Sequence, residues 1–148
     1  MFKRILFSIL FLSFAAVPVS ADSIVVIINK DNPVSSLTKS DVERFFLLKS
    51  QNWPSGEKVK PVNRNNKSKL KKAFIKSALN MNMDKYQDYW LGLKQTTGER
   101  EPKSLRSNKF VLKIVGKKKN AIGYLPGKYF ENLEGVSKSK VKVGLKIP

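Results

Sequence analysis

The residues best placed to do chemistry lie in one short stretch, Val62-Asn63-Arg64-Asn65-Asn66-Lys67-Ser68-Lys69-Leu70-Lys71-Lys72-Ala73-Phe74. An apolar run from Val59 to Val62 reads as a strand and enters a polar turn. Ser68 reads as a helix N-cap, because its hydroxyl can accept from a free N–H of the next turn. Leu70, Ala73, Phe74 and Ala78 then recur at the spacing of one helical face. Strand, polar turn and helix N-terminus in that order place free N–H groups and the positive helix dipole at one point, which suits an oxyanion such as phosphate. Arg64, Lys67, Lys69, Lys71 and Lys72 add charge around it. The same residues also fit a capped surface helix with solvated lysines.

Other chemistries find little support. The chain has no histidine and no cysteine. That removes the usual general base, the commonest metal ligand, thiol nucleophiles and disulfides. Ser68 beside Lys67 or Lys71 could form a nucleophile and base on paper. Helix caps next to lysines are common, however, and the reading here is a binding protein without catalytic residues, metal or cofactor. Glu99 and Glu101 are close in sequence and read as a solvated loop pair.

The elements that would position the junction follow from hydrophobic patterning. Ser23 to Ile28 is a continuous β-branched run, as expected for a strand buried on both faces. Thr38, with Asp41 three residues on, marks a capping box, and Val42, Phe45, Phe46 and Lys49 continue that helix. Trp53 reads as a packed loop anchor. Asn82 or Asp84 can cap a helix carrying Tyr86, Tyr89, Trp90 and Leu93. The segment from Thr96 to Pro102 reads as a polar loop. Ser107 can cap a helix with Phe110, Val111, Ile114 and Val115 inward. Ala121 to Leu125 reads as a short buried strand, and the tail from Val136 to Pro148 as an edge strand guarded by lysines. Alternating strands and helices predict a three-layer α/β sandwich with a mixed, mostly parallel sheet. Ligands of such sheets bind beyond the carboxyl ends of the strands, where the turn from Asn63 to Ser68 falls.

The 148 residues begin with a basic head, an apolar stretch from Ile5 to Val17 and small residues up to Ala21. This predicts a signal peptide over residues 1–21 and a single domain over residues 22–148, exported and periplasmic. The formal charge is +18 and falls by two when Lys3 and Arg4 leave. Such a balance favours anionic partners. An exported protein rarely meets chromosomal nucleic acid, so small anions or envelope components are the expected partners.

Several blocks resemble the substrate-binding proteins of phosphate ABC transporters, of the type II periplasmic binding protein fold. They are Ile24–Pro33, Leu37-Thr38 with the helix ending in Phe45-Phe46-Leu47, Trp53-Pro54-Ser55-Gly56, Val62-Asn63-Arg64, and Asn120-Ala121-Ile122-Gly123-Tyr124. The matches fall in order from Ile24 to Leu125 and cover the second lobe of a two-lobed fold. The resemblance implies an anion contact from Arg64, the Ser68 hydroxyl and the N–H groups of Lys69 and Leu70. Lys69 and Leu70 stand where that family carries glycine and threonine. Two or three hydrogen bonds in an open half-site would scarcely offset the cost of association, so tight binding would need a second surface, from a homodimer or from a membrane transporter or envelope protein as partner. The alternative from charge is a non-catalytic envelope module that binds a protein or a polyanionic surface.

Overall fold

The computed structural model describes residues 22–148. The predicted leader over residues 1–21 lies outside the described residues. Among the described residues five strands are interleaved with six helices, the second and third helices and the last two being consecutive. The strands are β1 (Ile24–Asn29), β2 (Lys60–Arg64), β3 (Lys103–Leu105), β4 (Ala121–Pro126) and β5 (Val141–Ile147). The helices are α1 (Lys39–Phe46), α2 (Lys69–Ala78), α3 (Met83–Thr97), α4 (Asn108–Lys117), α5 (Gly127–Glu131) and α6 (Val136–Ser139).

The strands form one sheet in the order β3-β2-β4-β1-β5. β2 is parallel to β3 and β4, and β1 is antiparallel to both β4 and β5. Four strands therefore share one direction and β1 opposes them, which makes the sheet mixed and mostly parallel. All six residues of β1 are buried, as its unbroken apolarity predicts. Val26 and Ile28 face a core under α1, α2 and α3, built on Phe46, Phe74 and Trp90. Val25 and Ile27 face the second core, under α4, with Val111, Leu112 and Val115. These two cores on opposite faces make the three layers.

Side-chain caps start the four long helices. Thr38 and Asp41 form a reciprocal capping box on α1. Ser68 caps α2 by accepting from the Lys71 N–H at 3.3 Å. Asn82 rather than Asp84 caps α3, and Ser107 caps α4. Trp53 is buried and donates from Nε1 to the Asn120 carbonyl at 3.0 Å, tying the loop before β2 to the start of β4.

Four sequence expectations are corrected. α1 ends at Phe46 rather than continuing through Lys49. Leu48 turns left-handed at φ 53°, and the Lys49 and Leu48 N–H groups bond back to Arg44 and Phe45, a Schellman closure. The predicted polar loop from Thr96 to Pro102 yields its first two residues to α3, which runs to Thr97, and the short edge strand β3, of which only Leu105 is buried, follows it. Phe110 lies on the outer side of α4 and is 43% exposed, because the inward stripe runs through Val111, Leu112 and Val115. The tail from Val136 forms a turn of helix, α6, before the strand begins at Val141.

Candidate anion site

β2 and β3 are parallel neighbours, and the helices that follow them leave toward opposite faces. α2 packs in the core with Phe46 and Phe74, and α4 in the core with Val62 and Val115. A crevice must open at the carboxyl ends of β2 and β3, the usual ligand position in such sheets. Arg64 is the last residue of β2 and stands at its mouth.

Alternation along β2 sorts its side chains between the two layers. Asn63 points under α2 and α3, where it is 1% exposed. Its Nδ2 donates to the Tyr86 hydroxyl at 2.8 Å, and its Oδ1 accepts from the Tyr124 hydroxyl and from the Arg64 N–H at 2.9 Å. Tyr124 in turn stacks on Phe74 with 3.8 Å between ring centroids. Burial raises the pKa of both Tyr86 and Tyr124 above the ordinary tyrosine value, and the Glu101 charge adds to the rise at Tyr86. Both phenols therefore stay protonated at neutral pH and hold the end of β2 in place.

Arg64 points the other way, toward α4. Its guanidinium donates to Asn108 Oδ1 and, at 3.2 Å, to the Arg106 carbonyl. Arg64 Nε is buried without a hydrogen-bond partner among the described residues. The arginine thus bridges the crevice from the end of β2 to the start of α4.

The turn at residues 65–68 leads into α2. The Ser68 N–H donates to the Asn65 carbonyl at 3.0 Å, and Lys72 N–H to the Ser68 carbonyl. Among the described residues the N–H groups of Lys69 and Leu70 have no acceptor. They are orphan donors of a first helical turn, which carries no acidic residue. Lys67 and Lys69 project into solvent, and Leu70 is half-buried against the core.

Lys71 is placed differently from its neighbours. It is fully buried. Its Nζ donates to Asn66 Oδ1 at 2.6 Å and to Glu101 Oε2 at 3.0 Å, and lies 5.1 Å from the Tyr86 ring centroid. Glu101 is therefore not half of a solvated loop pair; it closes a salt bridge to a buried ammonium. Of the predicted residues, Arg64 ends β2 and reaches toward α4, Ser68 and the Lys69 and Leu70 N–H groups lie at the start of α2, the Lys67 and Lys69 side chains are exposed, and the Lys71 ammonium is turned inward. Sequence reasoning gave Asn63, Tyr124 and Asn108 no role of their own and read Glu101 as solvated. The Lys71, Phe74, Ile75, Ala78 spacing does mark the inward face of α2 and would have singled out Lys71. Its partner Glu101 lies 30 residues away and carries no local signal.

The fold matches one lobe of a periplasmic binding protein, and the solved structures that share it include phosphate ABC transporter substrate-binding proteins. An ABC-type phosphate transport receptor from Vibrio cholerae superposes with a TM-score of 0.57 at 21% identity, over 82% of this chain and 45% of its own. A proposed phosphate ABC transporter substrate-binding protein from Clostridium perfringens, solved with bound phosphate, gives 0.58 at 19%, over 85% and 55%. PstS from Borrelia burgdorferi gives 0.59 at 17%, over 75% and 43%. The chain spans about half the length of these proteins. No protein-family model and no curated protein sequence matches it.

Among the described residues no helix is long and apolar enough to cross a membrane, and no cluster of acidic side chains could hold a metal ion.

Proposed function

We propose that this chain binds a small oxyanion of the phosphate type, as an exported, non-enzymatic relative of transport receptors. The observation that carries the reading is the crevice at the end of β2. There Arg64, held by Asn108 and the Arg106 carbonyl, is followed after the turn at residues 65–68 by a helix N-terminus with two free N–H donors. A phosphate-bound structure among the fold neighbours supports the choice of anion. The site is Arg64, the Ser68 hydroxyl and the Lys69 and Leu70 N–H groups, with Lys67 and Lys69 side chains supplying positive potential. Lys71 acts from below as a positioning residue.

Charge-assisted hydrogen bonds contribute about 1.5–3 kcal/mol each. Two or three of them in an open crevice offset little more than the cost of association. The expected dissociation constant is about 1 mM, equivalent to about −4 kcal/mol. Tighter binding requires a second surface, from a homodimer or from an envelope or transporter partner. Isothermal titration with inorganic phosphate tests the reading. Saturable binding in the millimolar range, lost in the Arg64→Ala, Ser68→Ala double variant, is the expected result. Equal binding by that variant would remove the site.

A further inference from the structure

The exposed face of α2 carries a second feature. Lys72 and Lys76 lie one turn apart on its exposed face, and α2 contains no acidic residue. Across a groove of about 590 Å³ stands Lys85 of α3, with Met81 and Met83 beneath. Both methionines are half-buried and packed on the main core. Asn80, which turns the chain at φ 54°, holds a further cation by accepting from Lys39 Nζ at 3.2 Å. Among the described residues none of Lys72, Lys76 and Lys85 is in an ion pair. The N-terminus of α3 also opens here and adds the positive end of a 15-residue helix.

We propose that this groove is a docking site for an acidic segment of a partner protein, with carboxylates on the lysine rim and an apolar side chain on the methionines. Charge complementarity selects an anionic occupant, since like-charged neighbours on the rim are left without counter-charges. The floor selects a peptide over a bare polyanion. Methionine is flexible and polarisable and suits an apolar seat that must accept varied side chains. The half-buried methionines select a chain segment over a membrane, because an apolar side chain must reach past the exposed lysines to touch them. Lysines one turn apart are about 5–6 Å from each other, close to the spacing of alternate residues in an extended chain, about 6.6 Å. An extended acidic strand can therefore pair with successive lysines.

The proposal does not rest on phosphate binding at the start of α2, and the peptide probes carry carboxylates and no phosphate. Three probes are titrated into the purified protein by fluorescence anisotropy or co-sedimentation. They are a labelled dodecapeptide repeating glutamate-glutamate-leucine, an octaglutamate of equal charge, and vesicles containing phosphatidylglycerol. The leucine-bearing peptide should bind more tightly than octaglutamate and should weaken about tenfold in Lys72→Glu, Lys76→Glu, as expected when rim charges are reversed. The charge-matched control Lys113→Glu, Lys117→Glu on α4, in the opposite layer, should change binding less than twofold beyond the general salt effect. Met81→Ser should remove the preference for the leucine-bearing peptide while leaving octaglutamate binding unchanged. Equal binding of both peptides, equal losses in both lysine double variants, or binding to vesicles that Lys72→Glu, Lys76→Glu alone abolishes would each overturn it. The exposed lysine variants leave the core untouched, so the comparison holds even if Met81→Ser folds poorly.

Discussion

Removing the carboxylate of Glu101 should destabilise the protein more than removing the ammonium it pairs with. Lys71 is fully buried, and its Nζ has Glu101 Oε2 at 3.0 Å and Asn66 Oδ1 at 2.6 Å. The Glu101 side chain is 34% exposed. In Glu101→Ala the ammonium stays buried with one neutral acceptor and the Tyr86 ring. Breaking a buried pair from one side costs about 3–5 kcal/mol. Water reaches Glu101 and screens part of its attraction, so about 2–3 kcal/mol is expected. In Lys71→Met the desolvated charge vanishes, an apolar chain of similar length fills its place, and Glu101 turns to solvent. That change should cost no more than about 1 kcal/mol. The double variant should resemble Lys71→Met, giving a coupling of about 2 kcal/mol. Urea denaturation followed by the fluorescence of the buried Trp53 and Trp90 measures all three without screening the charges. A loss below about 0.5 kcal/mol in Glu101→Ala, or an equal loss in Lys71→Met, would refute the reasoning.

Three further outcomes are expected. The backbone N–H of Thr38 holds the Asp41 carboxyl below its ordinary 3.8. Asp41→Asn should therefore cost about 1 kcal/mol at neutral pH, and the difference should close as pH falls below 3.8 and the native carboxylate takes a proton; a difference that persists in acid would contradict it. Burial raises the Tyr86 and Tyr124 pKa values, so the folded state keeps protons that the unfolded chain loses above about 10, and stability should decline as pH rises past that point. Absorbance titration should find these two of the four tyrosines un-ionised at the pH where an unfolded control has ionised. A Cβ on Gly123 would lie 2.7 Å from Val111 Cγ1 and 3.0 Å from Val62 Cγ2. Gly123→Ala should lose about 1–3 kcal/mol in the same urea assay, whereas a neutral result would mean that α4 can withdraw from the sheet.

Local signals in the chain carried most of the framework. A hydroxyl or amide at Thr38, Ser68, Asn82 and Ser107 marks a helix start through chemistry within three residues, and all four are observed caps. The β-branched run of β1 likewise reported burial on both faces. What was not legible depends on residues far apart. Lys71 sits in a lysine-rich run and looks solvated until its place on the Phe74 and Ala78 face is counted, and only the fold brings Glu101 to it. Strand β3 has three residues and one buried side chain, so its pairing with β2, not its composition, makes it a strand. The direction of Arg64 follows from strand alternation, but its hold on Asn108 requires α4 to begin beside β2.

The most direct test of an anion site at the β2–α2 junction is an amide NMR titration with inorganic phosphate at two salt concentrations. The account predicts saturable shifts centred on Ser68, Lys69, Leu70 and Lys71 that survive moderate salt, because the donors are fixed by the fold. Shifts spread over the lysine surface and erased by salt, or no localised shifts at all, would contradict it.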